Sequence, residues 1–226
     1  MRIQSPRKYF LIDANVLIDY YMGENSLVCK TFDDLENRRK NQPLSPLTIF
    51  VPNFCIVEVY KALATRRYCE GVDHPLNEPD YKRIVKTFSY DISRSDHWSG
   101  IDDRRVKEKE SLYQKYYHLE LSRYHVLNTQ LIYPFMSRVF SKEDKHHLST
   151  IDILIIAQGI ELTKYLGRSD CAILTSDKKL INLGRILLSL KGSDLKSHGL
   201  MENACEFYPA VLDARDFNAF KSFLRA

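Results

Sequence analysis

Three short apolar runs, KYFLID (8–13), LTIFV (47–51) and CAILT (171–175), each hand over almost at once to a stretch with helix-like spacing of its apolar residues. Runs of this length are too short for buried helices and carry no polar face. They suit strands covered on both sides, as in a parallel sheet. KYFLID leads into ANVLIDYYM, and a polar helix follows over about 26–40, ending at NQPLSP. LTIFV is stopped by Pro52 and Asn53, with Asn53 placed to cap a helix over 54–68. HHLSTIDILIIAQGIELTKYLG reads as a helix stopped by Gly167; CAILT and the SDKKLINLGRILLSL helix follow it. The order of strands and helices predicts an α/β fold with a central, mostly parallel sheet.

Residues 70 to 145 differ in character. After the loop GVDHPLNEP come YKRIVKTFSYDISRS and RRVKEKESLYQKYYHLELSRYHVLN, charged and tyrosine-rich, which predict long and mostly solvated helices. The chain is thus expected to be one domain over 1–226 with a helical block inserted at about 70–140. Tyr113, Tyr116, Tyr117 and Tyr124 recur at helical spacing, which predicts packing rather than base stacking. The closing FYPAVLDARDFNAFKSFLRA predicts an extended piece and a terminal amphipathic helix.

Apolar residues at 44% and charged residues at 27% are those of a folded globular chain, and a net charge of +4 permits an anionic partner without requiring one. The five cysteines, Cys29, Cys55, Cys69, Cys171 and Cys205, form no C-x-x-C pair, as expected of reduced thiols in the cytoplasm. No stretch reaches the roughly 18 apolar residues of a membrane span. The seven histidines show no spacing suited to zinc. Glycine-rich nucleotide loops and the G-x-S-x-G elbow are absent from the sequence.

Four carboxylates occupy costly positions. Asp13 and Asp177 fall where a strand passes into a helix, at the strand ends where parallel sheets bind ligands. Either could equally be a helix N-cap. Glu58 lies among Ile56, Val57, Val59 and Tyr60, and could instead mark a solvent face paired with Lys61. Asp152 sits at the start of an apolar helix, where Ser149-x-x-Asp152 also matches a capping box. Brought together, four carboxylates repel one another unless a cation neutralises them. The ion suited to such a set is a hard, oxygen-seeking Mg²⁺ or Mn²⁺.

LIDANVLI, VPNFCIVEVYKAL, STIDILIIAQGIEL and AILTSDKKL, taken in this order, resemble the signature of the PIN-domain ribonucleases. The resemblance brackets roughly 8–68 and 141–190 and implies a VapC-like three-layer sandwich with a helical insertion. It also implies a metal site of Asp13, Glu58, Asp152 and Asp177 that hydrolyses RNA to 5′-phosphate and 3′-hydroxyl ends. Asn15, Thr175 and Ser176 would support the acids or the metal-bound water. Apart from the resemblance, Lys178 and Lys179 lie beside the site in sequence, where they are expected to meet substrate phosphate, although Lys179 reads equally as a surface lysine. Many compact members are toxins restrained by an antitoxin protein, and many form homodimers; the insertion sets this chain apart from that compact pattern. Two other readings stand beside this one. A phosphatase of the haloacid-dehalogenase type needs a second acid two residues after its nucleophile, where this chain has Asn15. The other is a PIN fold kept as an RNA- or protein-binding module without nuclease activity.

Overall fold

The computed structural model describes residues 7–41, 47–93, 96–97, 115–138 and 148–225. The three apolar runs become β1 (Lys8–Ile12), β2 (Leu47–Pro52) and β5 (Cys171–Thr175). They are joined by β3 (Asp96–His97), β4 (Tyr117–Leu119) and β6 (Ala210–Asp213). The sheet order is β3-β4-β2-β1-β5-β6, and each neighbouring pair is parallel. The helices are α1 (Ala14–Met22), α2 (Ser26–Asn41), α3 (Asn53–Tyr68), α4 (Glu78–Ser93), α5 (Arg123–Asn128), α6 (Thr150–Leu166), α7 (Lys178–Ser189), α8 (Gly192–Ser197) and α9 (Phe217–Arg225).

Burial on both faces explains why the strands read as unbroken apolar runs. Phe10, Leu11 and Ile12 are fully buried, as are Ala172, Ile173 and Leu174. Phe10 meets Phe220 and Phe223 of α9 at 5.6 and 5.5 Å between ring centres. Residues paired across parallel strands share a face, so Phe10 and Ala172 look toward α9 while Ile173 and Val211 look the other way. On that second face α6 and α7 approach closely. A methyl group on Gly159 would stand 2.9 Å from Ile173 Cδ1, and one on Gly184 only 2.4 Å from Val211 Cγ2. Helices therefore cover both faces, in a three-layer α/β sandwich.

Gly184→Ala tests this contact. The added methyl gains up to about 1 kcal/mol of helix propensity, but overpacking against Val211 costs about 2 to 3 kcal/mol. Net destabilisation of about 1 to 2 kcal/mol is expected, as a lower urea midpoint with unchanged slope.

Two details depart from the sequence reading. Asn53 is the first residue of α3 rather than its cap; Pro52 holds the cap position, with no side-chain cap bond. The locked φ of proline, here −61°, turns the chain from strand directly into helix. The tyrosine-rich segment also contributes to the sheet: Tyr117–Leu119 form β4, which pairs with β2 through Phe50↔Tyr117, and helix resumes only at Arg123. Aromatic residues fit a pleated, half-buried surface, and here pairing with β2 and β3 overrides the helical charge pattern. Tyr116 is fully buried and Tyr124 half exposed; Tyr113 and the RRVKEKE run lie outside the described residues. Among the described residues no helix is long and apolar enough to cross a membrane.

Candidate active site

The sheet order reverses at β1, whose next strand in sequence lies on one side while β5 lies on the other. Connections leaving in opposite directions open a crevice at the carboxyl ends of these two strands. Asp13 sits at that point, its backbone N–H bonded to Leu174 O at 3.0 Å.

Asp13 holds the N-cap position of α1 yet makes no side-chain cap bond. Its Oδ2 instead accepts a 2.6 Å bond from Thr175 Oγ1 and a 3.3 Å bond from Asn15 Nδ2. A cap role is thereby set aside for this residue. Asp13 is only 2% exposed, and burial pushes its pKa up to about 7; Thr175 opposes the rise, while the charges of Asp152 and Glu58 add to it.

Glu58 lies half-buried on α3 and forms no hydrogen bond or ion pair among the described residues. Burial first, then the charge of Asp152, raise its pKa, with Lys61 opposing. Its neighbour below, the buried thiol of Cys55, is raised well above the ordinary range by burial and then by Asp13, Glu58 and Asp152. That thiol is inert at neutral pH.

Asp152 does both things its sequence allowed. Its Oδ2 accepts from Ser149 N at 2.7 Å and Ser149 Oγ at 2.8 Å, completing the capping box. Burial nonetheless raises its pKa against those bonds; the charge of Asp177 adds to the rise and that of Lys179 opposes it. Asp177 is a true N-cap of α7: its Oδ1 accepts from Lys179 N at 2.6 Å and Leu180 N at 3.2 Å. Its own N–H donates to Thr175 Oγ1 at 3.0 Å, so one buried threonine orients both strand-end acids.

Four carboxylates from the β1–α1 junction, α3, α6 and the β5–α7 turn therefore stand within electrostatic range of at least one other member. Among the described residues they do not close into a ready-made coordination group. The donor set still suits Mg²⁺ or Mn²⁺, which take one or two carboxylates, keep several waters and bind substrate phosphate, rather than needing an all-protein cage. Beside Glu58 and Asn15, a groove of about 510 Å³ runs between α1 and α3 past Lys61, Thr65 and Arg66.

The supporting residues divide. Asn15 and Thr175 touch Asp13 directly. The Ser176 hydroxyl instead stabilises Asp19, whose pKa is raised chiefly by burial and next lowered by that hydroxyl. Lys178 is exposed, and Lys179 is the lysine whose charge reaches Asp152. Sequence reasoning passed over Asp19 and Arg215. Asp19 shares a face of α1 with Asn15 four residues earlier, a spacing that could have exposed it. Arg215 follows the third strand end in this crevice, within the D-A-R-D run.

No protein-family model matches the chain, and no curated protein matches it. Among solved structures it is similar to the crystal structure of VapBC2 from Rickettsia felis bound to a DNA fragment from their promoter. The two share 8% identity at a TM-score of 0.44, over 91% of this chain and 98% of that one.

Proposed function

We propose that the chain is a metal-dependent endoribonuclease of the PIN type, hydrolysing RNA phosphodiester bonds at Asp13, Glu58, Asp152 and Asp177. One observation carries the reading. Asp13, Glu58 and Asp152, delivered by three separate elements, come together at the switch point of a parallel sheet, where the charge of Asp152 acts on both Asp13 and Glu58 and that of Glu58 on Asp13. Purely structural acids are normally paired in ion pairs, and a carboxylate cluster that forms none among the described residues, in a crevice, marks a functional site.

The four carboxylates would hold Mg²⁺ or Mn²⁺, which supplies an activated water and stabilises charge on the phosphate under attack. The protein supplies the arrangement. Thr175 and Asn15 fix the Asp13 carboxylate in one orientation. Ser149 and the N–H groups of Lys179 and Leu180 each engage one oxygen of Asp152 and Asp177, and the second oxygen takes no bond among the described residues. A toxin role restrained by an antitoxin protein belongs to the same proposal through the family resemblance.

The test is cleavage of a single-stranded RNA by the purified chain. Activity should require Mg²⁺ or Mn²⁺ and vanish on chelation, and Glu58→Gln should lower it on the order of 10²-fold or more. Cleavage indifferent to chelation, or undiminished in Glu58→Gln, would overturn the assignment. A cut leaving 5′-phosphate ends is the expected product.

A further inference from the structure

Asp19 adds a further carboxylate beside the four already described, and a polyanionic RNA strand approaching the crevice meets a repulsive field. We propose, building on the nuclease reading, that Arg215 is the substrate-phosphate residue of this site, gripping the backbone of the RNA strand through the free edge of its guanidinium.

Four observations place it there. β6 runs beside β5, with Thr175 opposite Asp213, so the residues after β6 emerge next to the Thr175–Asp177 turn. Ala214 N–H then bonds to Thr175 O at 2.8 Å, pinning the Arg215 backbone to the residue that orients Asp13. The Arg215 side chain folds back on its own strand, with Nε donating to Asp213 Oδ1 at 2.8 Å and Nη2 to Asp213 Oδ2 at 2.9 Å. That fork fixes the plane of the guanidinium, while Nη1 has no partner among the described residues and the side chain is 27% exposed. Finally, Asp19 and Asp177 both lie close enough for their charges to act on Arg215.

The geometry matches what phosphate recognition asks for. A planar, permanently charged group is held by one carboxylate and keeps a second N–H edge open to the solvent-facing crevice. Its entropy of ordering has already been spent on Asp213, so engaging a phosphate costs little further freedom. Asp213 is correspondingly the positioning residue, acting through Arg215.

The experiment measures binding and cleavage separately. Binding of a fluorescent single-stranded oligoribonucleotide is followed by anisotropy against salt, in an Asp13→Asn background that leaves the RNA intact. Arg215→Gln should weaken binding about tenfold and reduce the slope of log K against log salt by about 0.7, the loss of one phosphate contact. In the otherwise native protein it should lower kcat/KM on the order of 10²-fold. Arg215→Lys keeps the charge without the fork, so it should retain most of the salt slope yet still cleave at least tenfold more slowly. Asp213→Asn should fall between, through a rise in KM. An unchanged slope and unchanged cleavage in Arg215→Gln would reduce the Asp213–Arg215 pair to a local brace and overturn the proposal. If Arg215→Gln fails to fold, a salt slope lowered in Arg215→Lys as well would overturn it. A wild-type chain that binds RNA with Arg215-dependent slope but never cleaves it would sink the nuclease reading and leave the phosphate site standing.

Discussion

Asp13→Asn is expected to lower metal-dependent RNA cleavage on the order of 10³-fold while raising the melting temperature of the metal-free protein. Both effects come from one physical fact. Asp13 is buried among like charges, and its pKa stands at about 7 against an ordinary 3.8. A carboxyl whose pKa is raised by folding binds its proton more tightly in the native state. Its contribution to stability is therefore complete below about pH 4 and is lost as pH rises through about 7. A rise from 3.8 to about 7 corresponds to a loss on the order of 4 kcal/mol at full ionisation. Asn cannot ionise, and its side-chain oxygen still accepts from Thr175 Oγ1. The variant should accordingly show a flatter profile of melting temperature against pH between 4 and 8. Divalent ion reverses the sign for the wild type, because a ligand bound only by the folded state stabilises it. Scanning calorimetry with and without Mn²⁺ reads both terms. A wild type equally stable at pH 4 and pH 8 without metal would contradict the account, as would an Asn variant that Mn²⁺ stabilises as much as it does the wild type.

Asp91→Ala should destabilise the fold by about 3 kcal/mol, although Asp91 is remote in sequence from every candidate ligand. Asp91 Oδ2 accepts from Tyr21 OH and from Lys115 Nζ, each at 2.6 Å. Tyr21 OH shares a further 2.8 Å bond with Tyr116 OH. The Lys115 ammonium lies over the rings of Tyr20, Tyr21 and Tyr116 at 5.2, 5.1 and 5.3 Å. One carboxylate thus ties α1, α4 and the lead into β4 together, with both charges mostly buried at 17% and 16% exposure. Removing it strands an ammonium and shortens a phenol network of partners, and an uncompensated buried charge dominates the cost. Asp91→Asn keeps an acceptor and should lose less. Adding Lys115→Met to Asp91→Ala removes the stranded charge and should recover more than half of the loss. Urea unfolding of the wild type, Asp91→Ala, Lys115→Met and the double variant measures the coupling; strict additivity of the two single changes would refute the network.

Much of the architecture was legible because buried parallel strands leave an unambiguous local mark. KYFLI, LTIFV and CAILT had no polar face to offer, and each became a strand of the central sheet. β4 was not legible. Its three residues, Tyr117, His118 and Leu119, sit in a charged, tyrosine-rich run whose spacing a helix also satisfies, and only pairing between β2 and β3 selects the extended form. The Asp152 capping box could be read from Ser149 alone, since both partners lie within one helical turn. The Asp13–Thr175 bond spans 162 residues, and no local pattern announces it.

The chain by itself determined which residues must be hidden and where its helices begin: apolar runs, proline, glycine and caps act over a few residues, through forces that need no distant partner. It also carried the four acids in order. What those acids do to one another was decided only by the tertiary structure. Electrostatic coupling and desolvation depend on separation and burial, and both are set when β5 docks beside β1 and brings Thr175 against Asp13. The same docking of β6 against β5 converts an arginine in an ordinary-looking D-A-R-D turn into an oriented cation at the rim of an acidic crevice.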